Sequence, residues 1–177
     1  MVEALTPGRP APALAFETVA HGAYDLASSA PAGGTLVVFH RGSHCKWTRR
    51  MLKELDDRIG DFALRGVRLV ALSGEDRAAT EALKSEMQLI RLPLGYGADV
   101  AEVAAAWGLY LTEASPEPGA LPLHWEPAQV WVREDGTLGV VAVQSAACLW
   151  ADATNVIRAI ERAREAAPPP QSEKEAD

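Results

Sequence analysis

An α/β chain built on a central mixed sheet is what this sequence predicts, and three observations predict it. Two continuously apolar runs rich in branched side chains, residues 35–40 and 67–72, read as strands covered on both faces. An amphipathic helical pattern lies between them, which implies a parallel pair with a right-handed crossover. Towards the C-terminus two further runs, 128–133 and 137–143, are joined by Glu134-Asp135-Gly136, a hairpin signal, and a last helix follows.

The elements follow in order. Residues 5–15 hold Pro7, Pro10 and Pro12, so the chain starts as an extended arm. Short apolar pieces at 14–16 and 24–26 flank His21-Gly22 and predict a small hairpin. Gly33-Gly34 punctuates the chain before the strand at 35–40, and a loop at 41–44 leads into a helix over about 45–59. That helix places Met51, Leu52, Leu55 and Ile59 on one face and Arg49, Arg50, Lys53 and Asp57 on the other. After the strand at 67–72, residues 76–87 form a helix with Ala79, Leu83 and Met87 inward. Asp99 and Glu102 have capping-box spacing ahead of Val103 and Trp107, which marks a short helix. Residues 112–127, with four prolines, read as a loop. Val156, Ile157, Ile160 and Ala163 define the final helix, and the chain ends in a proline-rich acidic tail (167–177) expected to be disordered. Residues 1–166 are thus read as one domain. A parallel βαβ half followed by an antiparallel ββα half is the thioredoxin-like arrangement.

Composition narrows the function. The chain has 177 residues, 48% of them hydrophobic, and 24 acidic against 17 basic side chains, a net charge of −7. That is enough apolar material for a core and argues against a nucleic-acid partner, which needs a dense basic face. The first 30 residues lack a secretory pattern and no apolar run is long enough to span a bilayer, so a soluble, cytoplasmic protein without a membrane partner is expected. Two cysteines, Cys45 and Cys148, are too few for a disulfide framework.

Cys45 stands where the first buried strand gives way to a helix N-terminus, whose free N–H groups and dipole favour a thiolate. From Arg41 to Arg58 there are six basic residues against three acidic ones, a local excess in the same direction. Cys45 is therefore the candidate nucleophile, with an inert buried thiol as the plain alternative.

The stretch Phe39-His40-Arg41-Gly42-Ser43-His44-Cys45-Lys46-Trp47-Thr48 resembles the active-site segment of peroxiredoxin-like proteins of the alkyl hydroperoxide reductase/thiol-specific antioxidant (AhpC/TSA) family. The resemblance continues through residues 92–97, 107–110, Glu126-Pro127, 133–136 and Gln144-Ser145, and covers roughly residues 5–162. It implies a thioredoxin fold, oxidoreductase activity of the thiol–disulfide or peroxide kind, and no metal or organic cofactor. Its expected partners are a small peroxide or disulfide, a thioredoxin- or glutathione-type reductant, and a second copy of the chain. Where one bacterial branch of the family has Cys-Pro-x-Cys, this chain has Lys46 for the proline and Thr48 for the second cysteine. Counted from Phe39, the peroxidatic cysteine of peroxiredoxins proper falls near Thr48 and their supporting threonine on Cys45.

With one thiol, Cys45 can attack a peroxide oxygen or a mixed disulfide and be restored by an external thiol. Thr48 is the expected hydroxyl donor to its sulfur, and Arg41 the expected group to hold the thiolate or polarise a peroxide, unless it is an ordinary surface arginine. The other reading is a redox-degenerate binding module without turnover. Cys148 is the one internal candidate for a resolving thiol, but Ala146, Ala147, Leu149 and Trp150 around it predict a packed apolar loop and a buried structural cysteine. Pro127 resembles the proline, usually cis, that precedes the hairpin in thioredoxin folds, and Glu126 before it would bring a carboxylate near Cys45 and oppose its thiolate unless Arg41 or Lys46 pairs with it. Trp107 and Trp131 read as core; Trp47 and Trp125 either wall the site from water or are merely partly buried or at a dimer contact. His40, His44 and Cys45, with His124, have metal-ligand chemistry, but no helix presents both neighbouring histidines together. No metal is expected, and His44 is read as packing over the Cys45 loop.

Overall fold

Strand β3 (Thr35–Phe39) is buried at every residue and divides the core by its alternation. Leu36 and Val38 pack with Met51, Leu52 and Leu55 of α1 (Lys46–Asp57), Leu83 of α3 (Arg77–Glu86) and Ile157 and Ile160 of α5 (Ala153–Glu165). Val37 and Phe39 pack on the other side with Ala104 and Trp107 of α4 (Val100–Trp107) and with Trp125. The continuous apolar run is thus explained by helices covering one face and α4 with Trp125 the other. The structure, a computed structural model, describes residues 4–28 and 31–166. The tail expected to be disordered lies outside them.

Seven strands form the sheet in the order β2-β1-β5-β4-β3-β8-β9, where β1 is Ala15–Val19, β2 Gly22–Asp25, β4 Arg68–Leu72, β5 Leu94–Tyr96, β8 Ala128–Val132 and β9 Leu138–Val143. β4 pairs parallel to β3 on one side and to β5 on the other; β8 pairs antiparallel to β3, and β1 antiparallel to β5. The parallel pair, both hairpins and the helices expected around them are all present, so the mixed α/β sheet of a thioredoxin-like fold is observed.

Three details differ from the sequence reading. The helix over 45–59 stops at Asp57, and a separate short helix α2 (Ile59–Ala63) follows, because Arg58 leaves helical geometry. Residues 94–96 add a third parallel strand, β5, too short and too glycine-broken to carry a pattern. The proline-rich loop at 112–127 contains a two-stranded sheet, β6 (Leu111–Glu113) with β7 (Leu123–Trp125). This small ribbon brings the loop back over the C-terminal end of β3, where the candidate site lies.

Candidate active site

The C-terminal ends of parallel strands are where loops converge in α/β folds. Here the β3–α1 loop, the β4–α3 loop and the β6–β7 ribbon meet. Gly42 turns the first of these with φ +116, and a Cβ there would stand 2.9 Å from Cδ of Glu75. The Glu75 carboxylate accepts bonds from the Ser43 N–H at 2.9 Å and its hydroxyl at 2.6 Å, and Arg49 Nε donates to the Ser43 carbonyl at 2.7 Å. The loop is therefore pinned from both sides, and Cys45 follows as the N-cap residue of α1 without a side-chain capping bond.

Cys45 is 1% exposed, and Nη1 of the buried Arg41 donates to its Sγ at 3.4 Å. Arg41 Nη2 lies 2.7 Å from Oε2 of Glu117, and its Nε 3.3 Å from Oε1 of Glu126. Glu126 also accepts from the Thr112 hydroxyl at 2.6 Å. Glu126 reaches the site because β8 pairs with β3 in a register that sets Ala128 opposite Phe39. Burial alone would lower the Arg41 pKa, but its partners Cys45, Glu117 and Glu126 together hold it above its ordinary value. Burial likewise works to raise the Glu117 carboxyl, yet Arg41 keeps it below the usual range.

The histidines differ. His40 is fully enclosed, and burial, with a smaller contribution from His44, drives its pKa down to about 3; it is a neutral core residue. His44 has a side chain only 1% exposed and lies against His124, with ring centroids 5.2 Å apart. Burial first, then His124 and Arg41, lower its pKa, against the pull of Glu117 and Glu75.

Of the residues expected at the site, Arg41, His44, Cys45 and Glu126 come together, and Arg41 is the partner that Glu126 needed. Others depart from expectation. Thr48 is buried in the first turn of α1, but its Oγ1 has no hydrogen-bond partner and does not donate to Sγ. The basic excess does not converge on the thiol: Lys46 and Arg50 are exposed, while Arg49, Lys53 and Arg58 pair with Glu86, Asp57 and Asp61. Trp47 is half-buried, whereas Trp125 lies in the core, edge-on to Phe39. Pro127 follows a trans bond, since no described peptide is cis, and trans is the lower-energy form of such a bond. Cys148 is exposed with Leu149, not packed, and both cysteines are free thiols. The sequence reading missed Glu75 and Glu117. Glu75 was signalled by its place just after a parallel strand; Glu117, inside the proline-rich loop, carried no local signal.

The fold is thioredoxin-like, and at the start of α1 it sets a buried cysteine against an arginine. The chain belongs to the AhpC/TSA family, which it matches over residues 7–139. No curated protein sequence matches it significantly. Solved structures share the fold. A cysteine-to-serine mutant of the peroxiredoxin 6 of Arenicola marina superposes with a TM-score of 0.72 at 19% identity, covering 89% of this chain and 72% of that one. A peroxiredoxin-like protein from Aquifex aeolicus gives 0.73 at 11% identity, covering 91% and 89%. Reduced Prx3 from Vibrio vulnificus, in complex with hydrogen peroxide, gives 0.72 at 12%, covering 88% and 99%. At these identities the likeness establishes the fold. Among the described residues no helix is long and apolar enough to cross a membrane.

Proposed function

We propose that this protein is a thiol-dependent oxidoreductase in which Cys45 is the nucleophile. The observation that carries the reading is the Arg41 guanidinium, 3.4 Å from a buried Sγ at the start of α1. A fixed guanidinium and a helix N-terminus both stabilise negative charge placed beside them. The thiolate attacks one oxygen of a peroxide, the O–O bond breaks, and the departing alkoxide or hydroxide takes a proton, leaving a sulfenic acid and an alcohol or water. An external thiol then attacks the sulfenic sulfur, releasing water and forming a mixed disulfide, and a second thiol restores Cys45 as its own disulfide leaves. A low-molecular-weight mixed disulfide is the alternative substrate, entering the same cycle at its second half. The reductant is a glutathione- or thioredoxin-type thiol, since Cys45 lacks a near partner cysteine.

A second reading, a redox-degenerate binding module, is favoured by one observation: Thr48, which by the count from Phe39 falls near the peroxidatic position of peroxiredoxins proper, has a buried hydroxyl with no partner. Mass spectrometry separates the two. Reduced protein treated with a small excess of hydrogen peroxide and dimedone should carry one adduct on Cys45 within seconds. Adduct formation on Cys148 alone, or none, would favour the module.

A further inference from the structure

We infer that His44, Glu117 and His124 form a binding site for a divalent transition-metal ion of the zinc class. One ligand atom from each lies within 4.8 Å of the other two, so an ion about 2.1 Å from each needs only a small inward adjustment. The set is assembled from three segments: the β3–α1 loop, the proline-rich loop and strand β7. Gly119 lays the second of these on the first, since a Cβ there would sit 3.7 Å from Cβ of His44.

The histidines supply the second observation. His124 is 2% exposed; its Nδ1 faces the Leu121 carbonyl at 3.3 Å, and its Nε2 is buried with no partner. With the proton on Nδ1 given to that carbonyl, Nε2 keeps its lone pair, the arrangement by which a backbone carbonyl orients a metal-binding imidazole. Both ring nitrogens of His44 are likewise buried and unbonded, its Nε2 standing 3.5 Å from Glu117 Oε2. Buried polar atoms are ordinarily satisfied, so two imidazoles left open beside one carboxylate ask for a ligand that accepts lone pairs. The contacts of Glu117 with Arg41, His44 and Ser115 all fall on Oε2, which leaves Oε1 available.

Two imidazoles and a carboxylate suit zinc and its borderline neighbours, and the half-exposed Glu117 leaves the fourth position to water. The positive charge of Arg41 nearby is offset by Glu117 and Glu126. Cys45 is not in the cluster; Arg41 occupies its sulfur. His40 and Cys45, which have ligand chemistry by sequence, are thus replaced by a carboxylate 72 residues downstream of Cys45. Bound metal would fasten the β6–β7 loop over the Arg41–Cys45 pair, and the site requires no turnover by Cys45.

The test uses the full chain, stripped with a chelator and titrated with zinc by calorimetry, then with cobalt for its absorption spectrum. One ion per chain is expected, with cobalt d–d bands and no thiolate-to-metal charge-transfer band. Glu117→Gln and His124→Ala should each weaken zinc at least about tenfold, and His21→Ala should bind as the parent does. Circular dichroism checks folding; Glu117→Gln alters a half-exposed side chain and carries the test if His124→Ala does not fold. Absence of zinc binding, affinity unchanged in Glu117→Gln, or a thiolate band would overturn the inference.

Discussion

Arg41 holds three partners at once: it donates to the Cys45 sulfur and forms ion pairs with Glu117 and Glu126. Its charge is already shared by two carboxylates, so what it offers the thiol is direction as well as charge. Arg41→Met removes the donor to sulfur and strands Glu126 in a buried position. We expect the reaction with peroxide to slow about 100-fold and the fold to lose about 3 kcal/mol. Adding Glu126→Gln should return most of the stability, measured by urea unfolding, and none of the rate. If the double variant recovers both, Arg41 is a packing residue and not part of the chemistry. Arg41 and Cys45 were legible because both lie in one strand–loop–helix passage. Glu117 was not, because its approach depends on a ribbon that no local pattern announces.

At the scale of elements, the site rests on how α1 is anchored. Asp56, near its C-terminal end, is 5% exposed and accepts from the N–H groups of Ile90, Arg91 and Leu92 at 3.2, 2.8 and 2.7 Å. Burial raises its pKa, but the three donors outweigh that and the Lys84 charge helps them, so it ends below the ordinary value. A carboxyl depressed in the folded state stabilises fully above its unfolded value near pH 4 and loses that contribution as pH falls through the folded value. Asp56→Ala should therefore cost about 2 kcal/mol at pH 7, with the gap from the parent closing in acid. A gap independent of pH would assign the loss to packing. The sequence marked Asp56 only as one acid among several on a helix. Its partners lie in the chain before β5, the one parallel strand that three residues with Gly95 among them could not signal.

For the whole molecule, the arrangement of sheet and helices was legible because buried strands and amphipathic helices have different periods. What escaped were short strands, and which loops meet over the end of β3. The two thiols are the simplest global probe. Cys45 is 1% exposed, while Cys148 is exposed. Native protein should give Ellman's reagent one fast thiol, lost in Cys148→Ser, with the second appearing on unfolding. Two equally fast thiols would mean that Cys45 is open to bulky reagents. A small peroxide has a lesser barrier, and stopped-flow tryptophan fluorescence of the reduced protein with hydrogen peroxide tests the central claim most directly, Trp47 lying two residues from the thiol. We predict a fast phase whose rate rises in proportion to peroxide, present in Cys148→Ser and absent from Cys45→Ser. A rate no greater than that of a free thiol would contradict the peroxide reading and leave a disulfide reductase or the binding module, with the module ahead.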